Sequence, residues 1–395
     1  MSPVESEKVV YMDNNATTRV APEVIEEMMP YLTEYYGNPS SMHSFGGQVG
    51  EALKVARQRV ADLLGADPEE ITFNSCGTES DSTAILSALQ NYPEKRHIVT
   101  TRVEHPAVKH LCDTLDTLTG HKHRITRLKV DEDGMIDIEE YKAALTDDTA
   151  IVSVMWANNE TGVIFPVAEM ATIAKERGIL FHTDAVQAVG KIPINLKELD
   201  IDFLSLSGHK LHAPKGVGVL YVKRGTLFAP FLAGGHQERG RRGGTENVAS
   251  IVGLGKACEL AGKMMEEENT RVKNLRDKLE EGLLASVPKS LLNGHKTERL
   301  PNTTNISFEF VEGEAILLHM NRFNICASSG SACTSGSLEP SHVLRAMGVP
   351  FTAAHGSIRF SLSVYNTEEE VDFVLEKMPA IIESLRQMSP FWKGD

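Results

Sequence analysis

Two reactive side chains stand in unusual surroundings in this chain. Lys210 lies in SLSGHKLHAPKG, directly after an apolar run that is typical of an interior strand, and Cys333 lies in SSGSACTSG. An internal lysine can have a lowered pKa, act as an amine nucleophile and form a Schiff base with an aldehyde cofactor. Lysine is more often a solvated surface charge, but the position after a buried strand favours the nucleophile. Cys333 has neighbours that cannot build a core, which disfavours the alternative of a buried, inert thiol.

Two histidines close to Lys210 raise the alternative of a metal site. His209 and His212 lie on either side of it, but neither an HExxH motif nor partner cysteines accompany them. Zinc sites in proteins are recognised by such ligand spacings. The sequence therefore predicts no metal.

A phosphate-binding turn is predicted in ITFNSCGTESD. An apolar strand is followed by Gly77 and by a helix that we expect to begin at Thr78, so that free backbone N–H groups and the Thr78 hydroxyl would face a bound phosphate. The alternative is an ordinary helix cap, because Thr78 and Asp81 have the spacing of a capping box. The two interpretations are compatible.

Three more side chains could act on an amino acid, and each has a plainer alternative. Asp184 could hold a proton on the pyridine nitrogen of pyridoxal phosphate, or it could cap the next helix. His105, before Pro106, could stack on a ring and move protons, or simply open a helix. Arg359 could clamp a carboxylate or solvate one face of a strand. Together with Lys210 and the phosphate turn, they are the parts of a pyridoxal-phosphate enzyme for amino acids.

The elements that must position these residues alternate between strands and helices from about residue 66. The strand-like runs are ITFN, HIVTT, AIVSVM, ILFHTDA and DFLSLSG, with helical patterns such as PVAEMATIAKERG between them. This order predicts the α/β class, with a mainly parallel sheet covered on both faces. Ligands of such sheets bind beyond the carboxyl ends of the strands, which is where the polar residues stand.

A change of pattern predicts the domain organisation. Residues 259–284, ELAGKMMEEENTRVKNLRDKLEEGLL, read as one long amphipathic helix, and separated strands follow it. We expect a large cofactor-binding domain over residues 21–260 and a smaller α+β domain over 261–395, which residues 1–20 would join. The smaller domain would carry the cysteine loop, at about residues 326–340, and its glycines and serines would let the thiol move.

Composition excludes several classes of protein. The chain has 40 lysines and arginines against 54 aspartates and glutamates, a net charge of −14 that repels nucleic acid. The first ten residues lack the pattern of a signal peptide, and no apolar run approaches the ~18 residues of a membrane span, so we expect a cytoplasmic protein. Five scattered cysteines without CxxC favour neither a disulfide framework nor a zinc site.

The order of the motifs resembles one family over about residues 9 to 390. The matching stretches are DNNATT, YGNPSSMHSFG, SCGTESD, EHPAV, ANNETG, HTDAVQAVGK, SGHKLHAPKG, RRGGTEN and SSGSACTSGSLEPSHVLRAMG. They resemble the cysteine desulfurases, and most closely the nitrogen-fixation type called NifS, among the fold-type I, class-V aminotransferase-like enzymes. The RxGHxCA loop of the selenocysteine-lyase-like branch is absent.

The resemblance implies a role for each matching residue. Lys210 would carry pyridoxal phosphate, His105 would stack on its ring, Asp184 would pair with the ring nitrogen and Gln187 with the ring hydroxyl. The residues expected around the phosphate are Gly77, Thr78, Ser207, His209 and, from the neighbouring subunit, Thr245. A homodimer with composite sites follows.

The resemblance also implies the reaction. Asn158, a further cofactor contact, and Arg359 would position the carboxylate of L-cysteine. Cys333 would then take the sulfur as a persulfide while L-alanine leaves. A NifU-like iron–sulfur scaffold protein would accept the sulfur, for cluster assembly and nitrogenase maturation.

Two other functions remain open from the residues. An aminotransferase would use Lys210 and Asp184 equally well but has no use for Cys333, and it would release a keto acid instead of alanine. A sulfur carrier or scaffold-binding protein without catalysis would not need Lys210 and Asp184, and it would lack the absorption band of a bound Schiff base.

Overall fold

The structure is a computed structural model that describes residues 9–117, 122–329 and 340–394. Cys333 and most of the predicted cysteine loop lie outside the described residues. The strands within these ranges are β1 (Val10–Tyr11), β2 (Ile71–Asn74), β3 (His97–Thr101), β4 (Arg124–Leu128), β5 (Thr149–Ser153), β6 (Leu180–Asp184), β7 (Phe203–Ser207), β8 (Gly218–Val222), β9 (Ser290–Leu292), β10 (Thr303–Phe308), β11 (Ile325–Cys326), β12 (Ser328–Ser329) and β13 (Ser357–Ser361).

The α-helices of the described residues lie between and after these strands. They are α1 (Pro22–Thr33), α2 (Ser44–Leu64), α3 (Gly77–Asn91), α4 (Pro106–Thr117), α5 (Ile138–Ala144), α6 (Val167–Glu176), α7 (Val248–Glu267), α8 (Lys273–Ser286), α9 (Gly313–Asn321), α10 (His342–Ala346), α11 (Phe351–Ala354) and α12 (Glu368–Met388). Pro22 and Pro106 open α1 and α4, where a missing N–H costs nothing.

Within the described ranges, seven strands form the main sheet, in the order β2-β8-β7-β6-β5-β3-β4. Every pair in it is parallel except the two that β8 makes with β2 and β7. The α/β fold with a mainly parallel sheet is therefore confirmed. Because β2, β3, β5, β6 and β7 run in one direction, their carboxyl ends share one edge of the sheet.

Helices cover both faces of this sheet because its strands are apolar on both sides. Ile151, Phe203 and Leu220 belong to a hydrophobic cluster that includes residues of α3 and α4. Their neighbours along the strands point to the opposite face and join the largest cluster, with residues of α2, α6 and α7. Alternation of buried residues to two faces is what a doubly covered sheet requires.

A second hydrophobic cluster forms around a smaller sheet. Among the described residues, β12, β13, β10 and β9 form four antiparallel strands, against which α8, α9 and α12 pack. Val10 and Met12 of the N-terminal segment belong to this cluster, and β1 pairs in parallel with β11. Ile358, Phe360 and Leu362 lie in the cluster, so the intervening Arg359 faces away from it.

The helix predicted over residues 259–284 differs from the structure in two respects. It begins earlier, at Val248, and a π-helical turn over Glu268–Val272 separates α7 from α8. The apolar residues of 248–258 are buried almost all round, so the amphipathic pattern becomes visible only after them. No helix in the described part of the chain combines the length and apolar character needed to cross a bilayer.

Candidate active site

A cavity of about 350 Å³ lies at the carboxyl edge of the main sheet. Nine of the twelve predicted site residues line it: Gly77, Thr78, His105, Asp184, Gln187, Ser207, His209, Lys210 and Arg359. They come from five separate sequence motifs. The parallel strands of the main sheet bring four of these motifs to one edge, and the fifth, which holds Arg359, comes from the smaller sheet. Cys333 is outside the described residues, and Asn158 and Thr245 are not among the lining residues.

Lys210 occupies the 3₁₀ turn that directly follows β7. Its Nζ donates hydrogen bonds to the carbonyl oxygens of Ala16, at 2.7 Å, and Asn15. Burial, followed by the positive charges of Arg359 and Lys191, lowers its pKa to about 7. At neutral pH much of Lys210 is thus the uncharged amine, which is the form that attacks an aldehyde.

Two carboxyl groups form the floor of the cavity beside Lys210. Asp184 ends β6, and its Oδ1 accepts from Val186 N at 2.9 Å. The alternative of a helix cap fails, because a turn and not a helix follows Asp184. Asp81 lies 3.5 Å from His182 Nε2, and burial, followed by the negative charge of Asp184, raises the Asp81 pKa well above its usual value. Burial raises the pKa of Asp184 as well, but His105 and Lys210 act in the opposite direction and favour its charged form.

The start of α3 forms the opposite end of the cavity. The helix begins at Gly77, one residue earlier than predicted, and Cys76 precedes it without a side-chain cap. The capping box of Thr78 and Asp81 does not form, since Asp81 turns inward to His182. A Cβ on Gly77 would lie 2.8 Å from Val186 Cγ2, so glycine is required there. The first-turn N–H groups of a helix have no intrahelical partner and suit an anion.

His105 borders the cavity between β3 and α4. Its Nδ1 accepts from Ala107 N at 3.2 Å, so it does open the helix, and its ring also lines the cavity. Burial lowers the pKa of His105, although the negative charge of Asp184 acts in the opposite direction. The preceding Glu104 is fully buried, and burial raises its pKa to about 8.

Arg359 reaches the cavity from β13 of the smaller sheet. One terminal nitrogen donates to Asp13 Oδ1 at 2.9 Å and the other to Asn159 O at 2.9 Å. The buried Nε has no hydrogen-bond partner within the described part of the chain. Asp13 Oδ1 also accepts from Ser328 Oγ at 2.9 Å. The guanidinium is therefore held in place and still has donor capacity for a carboxylate.

The structure places Asn158 and Thr245 elsewhere. The Asn158 side chain donates to Val103 O at 3.0 Å and accepts from the N–H groups of Glu160 and Thr161, which stabilises its own turn. Thr245 is exposed and lines a separate hollow together with Ser75 and Arg242. Neither side chain contacts the cavity within a single chain, and their predicted roles remain predictions.

Sequence reasoning gave no individual role to several residues that shape the site. Asn15 and Ala16 supply the carbonyl oxygens around Lys210, and Asp13 fixes Arg359. The signal for them was the polar run DNNATT at residues 13–18, which follows an apolar stretch too short to be a core strand. Cys76 also lines the cavity, next to the start of α3.

Comparison with known proteins shows the family to which the chain belongs. The profile of the family described as "Aminotransferase class-V" matches residues 10–374. The protein named "Cysteine desulfurase NifS" of Azotobacter vinelandii is 63% identical over 387 residues, which cover 98% of this chain and 96% of that protein.

Solved structures give the same result. A protein described as "NIFS-LIKE PROTEIN" superimposes with a TM-score of 0.90 at 40% identity and covers 96% of this chain and 100% of its own. Another, described as "SspA in complex with cysteine", has a TM-score of 0.79 at 34% identity, with 90% of this chain and 99% of its own covered.

Proposed function

Because the chain belongs to the class-V aminotransferase family and is a cysteine desulfurase within it, we propose that its cavity binds pyridoxal phosphate and L-cysteine together. The observation that carries this proposal is the meeting of nine separately predicted residues in one cavity of about 350 Å³. The cavity joins an amine of lowered pKa, an anion-binding helix start and a guanidinium. An amino acid and a phosphorylated aldehyde need these three features.

The described residues fit the cofactor. The first-turn N–H groups of α3 and the Thr78 hydroxyl suit a phosphate. Ser207 and His209 line the same end, and Thr245 of a second subunit would complete it. Asp184 would face the ring nitrogen, Gln187 the ring oxygen and His105 one face of the ring. When bound, pyridoxal phosphate acts as an electron sink for the α-carbon of an amino acid.

Three side chains would bind the substrate and move its proton, each in a different way. Lys210, with a pKa of about 7, would hold the aldehyde and afterwards move a proton at the α-carbon of the substrate. Arg359 would bind the substrate carboxylate through its free donor capacity. Asn158 would act indirectly, since it shapes the turn that presents Asn159 to Arg359. Solved SspA in complex with cysteine supports cysteine as the ligand.

Sulfur transfer needs a thiolate, and we assign it to Cys333. Its sulfur would bond to the sulfur of the bound cysteine, and the Cβ–S bond would break with its electron pair left on the carbon framework, which takes a proton and departs as alanine. Burial raises the pKa of Cys112 and Cys258 to about 12, so these thiols are poor nucleophiles. Burial also raises the pKa of Cys326.

We further propose that the active unit is a homodimer. Exposed Thr245 cannot serve the cavity of its own chain, and large apolar side chains are exposed in two segments, over residues 35–45 and 227–232. Such surface is typical of subunit contacts. Thr245→Ala should weaken cofactor retention, and sedimentation should find a dimer. A fully active monomer would contradict the proposal.

The sulfur acceptor that best fits is a NifU-like iron–sulfur scaffold protein, with nitrogenase maturation as the purpose. The support is the identity of 63% to the Azotobacter NifS enzyme. We place the reaction in the cytoplasm, because Cys76, Cys112, Cys258 and Cys326 are free thiols and persist best in a reducing compartment. Affinity capture with this enzyme from an extract of its source cell tests the identity of the acceptor. The expected partner is an iron–sulfur scaffold protein.

Product analysis tests the reaction. Enzyme loaded with pyridoxal phosphate should convert L-cysteine to L-alanine and release sulfide when a reductant is added. An aminotransferase would yield a keto acid, and a non-catalytic sulfur carrier would yield no product. Either outcome would overturn the proposal.

A further inference from the structure

One residue of the HTDAVQAVGK motif has a buried charge and no role so far. Lys191 lies in the turns after β6 and is 6% exposed. Its Nζ donates to Gln187 O at 3.2 Å and to Gln187 Oε1 at 3.4 Å. Lysine is rarely buried without a partner, because desolvation of an ammonium is costly.

The Lys191 contact determines which way the Gln187 amide points. Lysine only donates hydrogen bonds, and a carbonyl oxygen only accepts them. Gln187 Oε1 therefore faces Lys191, while Gln187 Nε2 donates to Asn15 O at 3.0 Å. The reversed amide would place two donors together and two acceptors together, so it is excluded while Lys191 is present.

The same hydrogen bonds continue to Lys210. The Asn15 carbonyl oxygen that accepts from Gln187 also accepts from Lys210 Nζ. Gln187 lines the cavity, and its Nε2 carries a second hydrogen for a ligand there. A continuous path thus runs from Lys191 through Gln187 and Asn15 to Lys210.

We propose that Lys191 is a positioning residue that acts through Gln187: it keeps the amide N–H directed into the cavity, where it donates to the ring oxygen of the cofactor. This inference rests on the proposed function, since it requires pyridoxal phosphate in the cavity. Asp184 and Lys210 would then meet a ring that is held at one orientation.

A purely structural role for Lys191 is the competing explanation. Glu268 is 8% exposed and lines a small cavity of about 30 Å³ together with Lys191, and its Oε2 has no hydrogen-bond partner within the described residues. Removing Lys191 would take away the positive charge that acts most strongly on buried Glu268, and the weaker effect of Arg271 would remain. The test must therefore separate two effects of removing Lys191: the loss of its hydrogen bonds to Gln187, and the loss of its positive charge beside Glu268.

Binding of pyridoxal phosphate to the cofactor-free dimer, measured by equilibrium dialysis, provides the test. Lys191→Met should raise the dissociation constant about five- to tenfold, as expected for one hydrogen-bond contact. In a Gln187→Leu background, Lys191→Met should cause no further loss, because the two residues act as one unit. Lys197→Met, at an exposed lysine, is the control and should bind like wild type.

The outcomes separate the inference from the proposed function. If wild type does not bind the cofactor, the proposed function fails. If wild type binds and the two single losses simply multiply in the double variant, Lys191 does not act through Gln187. If Lys191→Met/Glu268→Met recovers wild-type affinity, the unpaired Glu268 caused the defect and the inference is wrong. The inference expects this double variant to remain as weak as Lys191→Met.

Discussion

The cavity has two walls of different origin and different electrostatics. On the wall built by the main sheet, burial lowers the pKa of Lys210 to about 7 and raises that of Asp184. On the wall built by β13 and the N-terminal segment, Arg359 forms an ion pair with Asp13 at 2.9 Å. The first wall holds an amine, Lys210, that can exchange protons near neutral pH, and the second offers a fixed charge.

This difference teaches where the two parts of the reaction are located. Proton transfer requires groups whose pKa lies near the working pH, which burial under the sheet provides. Recognition of a carboxylate requires a permanent cation held in one geometry, which Asp13 and Asn159 provide for Arg359. Changes to the first wall should therefore reduce turnover, and changes to the second should weaken substrate binding.

The largest effect is expected at Lys210. Lys210→Ala should reduce kcat at least about a thousandfold, because it removes the amine on which covalent chemistry depends. Sulfide and alanine release from L-cysteine measure it. Lys215→Ala, at an exposed lysine of the same loop, is the control and should stay near the wild-type rate. If Lys210→Ala turns over at nearly the wild-type rate, the first wall does not carry the chemical step, and the proposed division between the two walls is wrong.

A change to the second wall should act mainly on KM. Arg359→Gln should lower kcat/KM about ten- to hundredfold, as expected when charge-assisted hydrogen bonds to a carboxylate are lost. Steady-state kinetics with L-cysteine measure kcat and KM separately. Arg322→Gln, at an exposed arginine, is the control and should behave like wild type. If kcat falls as much as kcat/KM, Arg359 contributes to the chemical step, and the division is wrong.

The pH dependence of cofactor uptake shows how the walls influence each other. Uptake of pyridoxal phosphate by cofactor-free protein needs the neutral amine of Lys210, so its rate should rise with pH and level off above about pH 7. Arg359 lowers the pKa of Lys210, and Arg359→Gln should therefore move the midpoint to higher pH. A wild-type midpoint near that of an ordinary lysine, about 10.4, would contradict the burial of the amine.

The smallest effect is expected from the second carboxyl group of the first wall. Because burial raises the pKa of Asp81 and so favours its neutral form, Asp81→Asn should change kcat less than about fivefold. In wild type, a raised folded-state pKa makes stability fall as pH rises above the usual aspartate range. Urea unfolding should thus find that the stability of Asp81→Asn relative to wild type increases as pH rises above the usual aspartate pKa of about 3.9. A decrease would show that Asp81 is ionised.

The sequence was sufficient to predict the sheet wall, for a physical reason. Parallel strands carry the residues that follow them to one edge, so Thr78, His105, Asp184 and Lys210 could be grouped before any contact was known. The same strand and helix order gave the fold class. Local pattern and chain direction together determine this wall.

The second wall could not be predicted in the same way. Its contacts join Asp13 to Arg359 across 346 positions of sequence, and no local pattern encodes such a pairing. The predicted capping box of Thr78 and Asp81 failed because packing beside His182 outweighed a local preference. The π-helical turn at Glu268 likewise interrupts a pattern that predicted a continuous helix.

Cys333, which lies outside the described residues, is the proposed nucleophile for the sulfur, whereas Cys76 lines the cavity itself. The most direct test is therefore to treat wild-type enzyme with L-cysteine, trap it before any reductant is added, and map the persulfide by mass spectrometry. The extra sulfur should be on Cys333, and Cys333→Ala should bind L-cysteine without forming alanine, while Cys76→Ala should still form it. Sulfur on Cys76 or Cys326, or an active Cys333→Ala, would contradict the assignment.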